Sequence, residues 1–97
     1  MPFDVVFAPE VALDIAEAVI WYERAGRAEE LLLSVDACVG RIRRWPFMYP
    51  AVSRGYRRAI VRKFPYALFY EPHADRVVIR ALFHTSRDPQ IWRERLM

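Results

Sequence analysis

The sequence predicts an α+β fold, with an N-terminal strand, an αα-hairpin packed on a mainly antiparallel four-stranded sheet, and a short C-terminal helix. Two observations lead to this prediction. Apolar residues recur every three or four positions from Glu10 to Trp45, which is the spacing of amphipathic helices. They recur at every second position from Tyr56 to His84, which is the spacing of half-buried strands. The length of 97 residues fits a single domain, residues 1–97, with a modest core.

The first half of the chain is expected to form a strand and two helices. Phe3–Phe7 contains β-branched residues and is expected to form the strand. Pro9 is tolerated in the first turn of a helix, where its missing N–H has no partner, so a helix is expected over residues 10–24. Gly26 can end this helix, and a second helix is expected from Arg27 to Trp45. We interpret the apolar faces of both helices as core and assign them no chemistry.

The second half is expected to form a loop, three strands and a final helix. The loop covers residues 46–55, and the strands are expected at residues 56–63, 66–71 and 76–84. The segment PHAD supplies the turn between the last two strands. Asp88 followed by Pro89 is typical of an N-cap and first turn, so a short helix is expected to follow. Trp92 and Leu96, four residues apart, can pack this helix on the domain.

Alternation in the strands assigns side chains to the two faces of the sheet. In the last strand, the face predicted to pack against the helices carries Val77, Ile79, Ala81 and Phe83. The uncovered face is predicted to carry Val78, Arg80, Leu82 and His84, together with Arg58, Ile60 and Arg62 from the strand over residues 56–63. Apolar residues with a cationic rim are typical of a binding surface. The alternative is an ordinary solvated sheet face with interspersed arginines.

The charge of the chain permits an anionic partner. The net charge is +3 and the sequence pI is about 9.4. All of the 15 Lys and Arg residues except Lys63 are arginines. The segment RGYRRAIVRK, residues 54–63, carries five cations and no acid.

Several kinds of active site find no support in the sequence. The two histidines and the single cysteine lie far apart, so no metal site is expected. The three glycines are too dispersed for a phosphate loop, and no serine stands in a nucleophile elbow. We therefore expect no cofactor, and we interpret Cys38 as a buried small hydrophobe. No apolar run reaches the roughly 20 residues of a membrane helix, and no basic signal-peptide region precedes one, so a cytoplasmic location is expected.

His84 has three possible roles from the sequence alone. It can act as a general acid or base in RNA cleavage, with arginines stabilising the transition state. It can contact a nucleic acid or protein target, or it can simply complete the final strand. No carboxylate is clearly placed to orient the ring, which favours the structural role. His73, in the predicted turn, is expected only to be solvated.

Three segments of the chain, taken in order, resemble the RelE/ParE superfamily of toxins from type II toxin–antitoxin modules. They are PEVALDIAEAVIWYE, RKFPYALFYE and VVIRALFHTSRDPQIWRER, and the resemblance covers roughly residues 3 to 95. Its most specific parts are Phe-Pro-Tyr at the entry to a strand and His-x-x-Arg-Asp-Pro at the end of the last strand. The resemblance implies a RelE/ParE-like fold and a small toxin that a cognate antitoxin, encoded beside it, holds inactive. Chains of this kind often carry the label of plasmid stabilisation proteins.

The superfamily has two activities, and the resemblance favours one of them. RelE-like members cleave messenger RNA on the ribosome, using basic side chains of the open sheet face and, in several, a tyrosine or histidine near the C-terminus. ParE-like members poison DNA gyrase and have no established nuclease centre. By position, Arg62, Arg80 and His84 correspond to the nuclease residues, but Thr85 stands where some nucleases place a tyrosine. The ending ALFHTSRDP is more similar to the ParE branch, which we favour, while whether the protein is an enzyme stays open.

The resemblance and the predicted sheet face together suggest the partners. We expect target or antitoxin binding by Arg58, Arg62, Arg80, His84 and Arg87. The expected partners are the cognate antitoxin, in a possible hetero-oligomer, and DNA gyrase or the ribosome as target, with no membrane. The antitoxin is expected to be acidic or amphipathic in its C-terminal half, to complement the arginines. A non-toxic module that only binds an antitoxin is the remaining alternative.

Overall fold

The computed structural model describes residues 2–96 and confirms the predicted α+β architecture. The strands are β1 (Asp4–Phe7), β2 (Ala51–Ser53), β3 (Tyr56–Val61), β4 (Tyr66–Pro72) and β5 (Arg76–His84). The helices are α1 (Pro9–Glu23), α2 (Ala28–Arg44) and α3 (Pro89–Leu96). The strands are arranged in the order β1-β5-β4-β3-β2, with β1 parallel to β5 and the other neighbours antiparallel.

The sheet has five strands, so the predicted number of four was wrong. The additional strand, β2, lies within residues 46–55, which were expected to form a loop, and it pairs with the beginning of β3. The strand expected over residues 56–63 ends at Val61, and residues 62–65 form a turn. Lys63 adopts a left-handed conformation there, with φ of 71°. The cationic segment therefore passes from a strand into a turn at Arg62.

The main core lies between the helical hairpin and one face of the sheet. α1 buries Val11 and Ala18, and α2 buries the periodic residues Leu31, Val35, Cys38 and Ile42. These side chains pack against the sheet residues Ala59, Val61, Leu68, Tyr70, Val77, Ile79 and Leu82. Burial of each large aliphatic side chain contributes about 1.5–3 kcal/mol, so this interface supplies much of the stability. Gly26 has φ of 69° and ends the first helix in the left-handed conformation that glycine adopts without strain.

A second, smaller cluster lies on the opposite face of the sheet, beneath α3. It consists of Tyr56, Ala67, Phe69, Ala81, Phe83, Trp92 and Leu96. The rings of Phe69 and Trp92 lie 5.1 Å apart between centroids. The packing of α3 by Trp92 and Leu96 agrees with the expectation from their spacing.

A β-bulge in β5 reverses part of the predicted face assignment. Phe69 pairs with Ala81 whereas Tyr70 pairs with Ile79, so Arg80 is an extra residue on its strand. An extra residue inverts the alternation beyond it. Leu82 therefore packs on the helix side. His84 lies on that side too, opposite Tyr66, so the prediction that Leu82 and His84 occupy the uncovered face was wrong. Ala81 and Phe83 pack beneath α3. The sequence had predicted that they face the helical hairpin instead.

Asp14 connects α1, β5 and α3 through its side chain. Its Oδ2 accepts a hydrogen bond from the backbone N–H of Leu82 at 3.0 Å. Its two oxygens also accept from Arg95 Nη1 at 3.2 Å and Nη2 at 2.9 Å. Only 12% of the Asp14 side chain is exposed. The carboxylate thus joins three elements at one point, and α3 is held by an ion pair as well as by apolar packing.

The connection between α2 and β2 is fixed by side chains of the sheet. The Tyr70 hydroxyl donates to the carbonyl of Pro46 at 2.6 Å, and burial raises the pKa of this phenol. Arg57 Nη1 donates to the carbonyls of Tyr49 at 2.6 Å and Phe47 at 3.2 Å. These bonds hold residues 46–50 beside the edge of β3. No helix within residues 2–96 is long and apolar enough to span a membrane.

Candidate functional site

β3 presents its alternating arginines beside the second cluster, away from the hairpin. Arg58 lies opposite Phe69 and Ile60 lies opposite Ala67 in the pairing of β3 with β4. Directly opposite residues of a sheet share a face, so both side chains lie on the side of α3. Arg58 is half-buried, whereas 47% of Ile60 is exposed. The core residues Ala59 and Val61 point to the hairpin, as the alternation predicted.

Two adjoining depressions of about 330 and 390 Å³ lie between the C-terminal half of α2 and the edge of β3. We call them together the α2–β3 groove, because Arg41 and Arg62 line both. The remaining lining residues are Ala37, Gly40, Arg44, Trp45, Met48, Tyr49, Pro50, Arg58 and Ile60. The lining contains four arginines and no carboxylate, so the groove combines positive charge with an apolar floor.

Arg80 occupies the bulge of β5 and is half-buried. It lies close enough to Tyr56 to influence this phenol electrostatically: burial and the Glu71 carboxylate raise the pKa of Tyr56, and Arg80 opposes them. Glu71 Oε1 also lies 2.7 Å from His73 Nε2. The expectation that His73 is only solvated was therefore wrong, because it pairs with a carboxylate at the end of β4.

His84 ends β5 between two small depressions. Its Nδ1 accepts a hydrogen bond from the backbone N–H of Ser86 at 3.1 Å, and the Ser86 hydroxyl lies 2.7 Å from the same atom. In the neutral ring this arrangement places the proton on Nε2. The Tyr66 ring packs edge-on at 5.3 Å between centroids. Among residues 2–96, no carboxylate forms a hydrogen bond with this imidazole, so the turn orients it.

Four of the five residues predicted to bind a partner form two groups joined by Arg58. One depression of about 90 Å³ is lined by Arg58, His84, Arg87 and the aromatic side chains beneath α3. Arg58 also lines the α2–β3 groove with Arg62, whereas Arg80 stands apart at the bulge. Within the described chain, the ion pairs involve none of these four arginines. Their guanidinium groups are available to an anionic partner.

Sequence reasoning missed two arginines of this surface. Arg41 and Arg44 lie three residues apart in the last turns of α2 and both line the α2–β3 groove. Their spacing places them on one side of a helix, which was the available signal. The Arg41 Nε donates to the Tyr49 hydroxyl at 3.1 Å, which fixes one wall of the groove.

A different exposed surface lies on α1. Leu13, Ile20 and Trp21 are 61–70% exposed on this helix. Trp21 also lines a depression of about 180 Å³ with Asp14, Glu17, His84 and Arg87. The helix is thus apolar on two sides, of which only one is used by the core.

The chain is a small α+β domain whose arginine-rich surface also exposes apolar side chains. A family model described as the ParE toxin of the type II toxin–antitoxin system, parDE, matches residues 5–89. The chain therefore belongs to the ParE toxin family, and it is the toxin component of a type II toxin–antitoxin system. Membership of such a system implies an antitoxin as partner.

A solved structure supports the fold. It is described as the chromosomal ParDE TA system from P. aeruginosa, and its chain aligns with a TM-score of 0.64 at 14% sequence identity. The alignment covers 84% of this chain and 95% of that chain. At this identity the likeness shows a shared fold. No protein matched in the comparison with curated proteins.

Proposed function

We propose that this toxin inhibits DNA gyrase by binding and that its antitoxin neutralises it by covering the arginine surface. The observation that carries the proposal is a set of three arginines, Arg58, Arg62 and Arg87, that form no ion pair within residues 2–96 and lie beside exposed apolar residues. Unpaired guanidinium groups next to an apolar floor favour recognition of an acidic macromolecular surface. The proposed target places the protein in the cytoplasm.

The surroundings of His84 support binding over catalysis. A general base needs a partner that orients it and a group that stabilises the charge it develops. Here Nδ1 accepts a hydrogen bond from Ser86, and within residues 2–96 no carboxylate is bonded to the ring. Thr85 follows it, so no phenol is available at that position. His84 is therefore proposed to shape the turn before α3 and to contact the partner.

The test is a supercoiling assay with purified gyrase. Micromolar toxin is expected to inhibit supercoiling or to trap cleaved DNA, and the product of a neighbouring antitoxin-like reading frame is expected to reverse the effect. A variant with Arg58→Glu and Arg87→Glu tests the proposed surface, and a variant with Arg24→Glu and Arg93→Glu, at two exposed positions outside it, is the control for total charge. Absence of any effect of the unaltered toxin on gyrase contradicts the proposed target.

One observation favours a second candidate, a ribosome-dependent endoribonuclease. Arg58, His84 and Arg87 line one depression, so an imidazole and two guanidinium groups can reach one phosphate. On this reading, induction cleaves translated messages, and His84→Ala or Arg80→Ala abolishes cleavage while the fold is kept. Toxicity that both variants retain excludes this activity. Expression without antitoxin that leaves growth unchanged indicates a non-toxic binding module.

A further inference from the structure

α1 has an exposed apolar side opposite its core residues. Leu13 follows the buried Val11 by two positions, and Ile20 follows the buried Ala18 by two positions. Two positions correspond to about 200° around a helix, so both side chains point away from the core. Leu13 is 70% exposed and Ile20 is 61% exposed. Large apolar side chains aligned on the exposed side of a helix indicate an interaction surface.

Two residues of opposite charge lie in line with these apolar residues. Four residues follow one another at spacings of four, three and four, which places them in one row along the helix: Leu13, Glu17, Ile20 and Arg24. Trp21, which is 69% exposed, lies beside this row one turn after Glu17. We call these five residues the α1 stripe. Apolar and charged positions alternate along its row, with the acid nearer the N-terminus and the base nearer the C-terminus.

The two charged residues of the α1 stripe have no partner of opposite charge in the described chain. Glu17 and Arg24 are both exposed, and neither forms an ion pair within residues 2–96. They lie seven residues apart, about 10 Å along the axis, which is too far for them to pair with each other. Arg24 has φ of −62° and ψ of −30°, so it continues the line of the helix. Both charges are therefore free to meet a second molecule.

The order of the charges makes the α1 stripe complementary to itself. A two-fold axis brings identical surfaces together, and it sets two helices antiparallel when it lies perpendicular to them. The acidic part of one stripe then faces the basic part of the other. Parallel helices would place Glu17 against Glu17 and Arg24 against Arg24, which like-charge repulsion disfavours. The stripe therefore fits a second copy of itself in the antiparallel direction.

One antiparallel register satisfies the apolar and the charged residues together. With the two-fold axis midway between Glu17 and Ile20, the two Ile20 side chains meet at the centre. Leu13 then lies beside Trp21 of the second copy. Glu17 and the second copy's Arg24 are offset by four residues, about 6 Å along the axis, which their side chains can span. Symmetry forms each of these contacts twice.

We propose that two copies of the free toxin associate through their α1 stripes in an antiparallel, two-fold symmetric pair. This inference does not depend on the proposed gyrase target. α1 packs on β5 whereas α2 packs on β3, so the α2–β3 groove stays outside the contact. A contact made by one helix of each copy buries less than the roughly 1,200 Å² of a stable complex. We therefore expect a dissociation constant on the order of 10 μM.

The first test measures the mass of the full-length toxin by sedimentation equilibrium, from about 1 to about 300 μM. Trp21→Ala removes the ring that packs on Leu13 of the second copy. Trp45→Ala is the matched control, because Trp45 is also an exposed tryptophan, at 52%, but lines the α2–β3 groove. We expect Trp21→Ala to weaken the pair about tenfold and Trp45→Ala to leave it unchanged. Circular dichroism confirms the folding of each variant.

A second test reverses the charges. Glu17→Arg and Arg24→Glu each place like charges together and are each expected to weaken the pair about tenfold. They change the net charge in opposite directions, so net charge cannot explain a loss in both. An equal mixture of the two variants is expected to associate again, because every contact between unlike copies then joins opposite charges. Glu94→Arg, on α3 across the sheet, is the control and should leave the pair unchanged.

Several results would overturn the proposal. They are a single monomeric species up to about 300 μM, equal effects of Trp21→Ala and Trp45→Ala, or a mixture of the charge variants that stays monomeric. A monomeric toxin whose capture of the antitoxin is weakened by Trp21→Ala assigns the α1 stripe to the antitoxin and also overturns it. At the micromolar concentrations of the supercoiling assay the toxin is mostly monomeric, so Arg24→Glu stays a valid charge control there. Failure of the gyrase target and failure of the pair are therefore separate results.

Discussion

Replacement of Asp14 by alanine is expected to destabilise the protein by about 2–4 kcal/mol. A hydrogen bond to a charged group contributes about 1.5–3 kcal/mol, and the Leu82 N–H loses this bond inside the structure. The Arg95 ion pair adds about 0.5–1 kcal/mol, because a quarter of the Arg95 side chain is exposed and water can replace the carboxylate. For a domain of this size the total corresponds to a fall of roughly 8–32 °C in Tm.

The measurement is urea and thermal unfolding followed by circular dichroism at neutral pH. Asp14→Asn is the matched control, because its side-chain oxygen can still accept from Leu82 while the ion pair is lost. We expect a loss of only about 1 kcal/mol for this variant. A double-mutant cycle with Arg95→Ala isolates the coupling between the two side chains. If Asp14→Ala unfolds within about 0.5 kcal/mol of the unaltered protein, the carboxylate does not hold the three elements together.

Three further predictions concern buried groups. Trp92→Ala is expected to cost about 3 kcal/mol, because it removes the ring that packs on Phe69 beneath α3, and urea unfolding measures this loss. Ile91→Ala, at an exposed position of the same helix, should cost much less, and equal losses contradict the packing. Burial raises the pKa of Tyr70, so its neutral form is favoured in the folded state, and the associated stability is lost as pH rises above about 10. Stability of the unaltered protein should therefore fall more steeply between about pH 9 and pH 11 than that of Tyr70→Phe, and parallel curves count against the assignment. Burial also raises the pKa of the Cys38 thiol, so maleimide labelling at neutral pH should be slow in the folded protein and rapid in denaturant, whereas rapid labelling without denaturant indicates an accessible thiol.

The sequence predicted well what depends on local periodicity. Both long helices were predicted within about one residue of their ends, because their apolar stripes repeat along many residues. The final strand, Arg76–His84, was predicted with its full length. These elements contain many repeats of their apolar pattern, whereas β2 has only three residues, which are too few to show a period. β2 is defined by its pairing with β3, which the sequence does not display.

The binding surface was predictable in part. The alternation in β3 correctly separated Arg58 and Ile60 from the core residues Ala59 and Val61. The α2 side of the groove was missed, because the approach of Arg41 to the β3 edge depends on how the helix crosses the sheet. The enclosed position of Asp14 was missed for the same reason: its partner Arg95 lies far away in the chain. Non-local contacts of this kind leave no periodic trace.

The bulge at Arg80 has a consequence for how β5 can vary. Deletion of Arg80 would make Ile79 and Ala81 adjacent in a regular strand, with Leu82 still facing the helical hairpin and Phe83 still beneath α3. Every apolar side chain after the deletion would then keep its present neighbours. Substitution of the arginine leaves that order intact as well. The bulge is therefore a position where β5 can lose one residue without exchanging the side chains of its two faces.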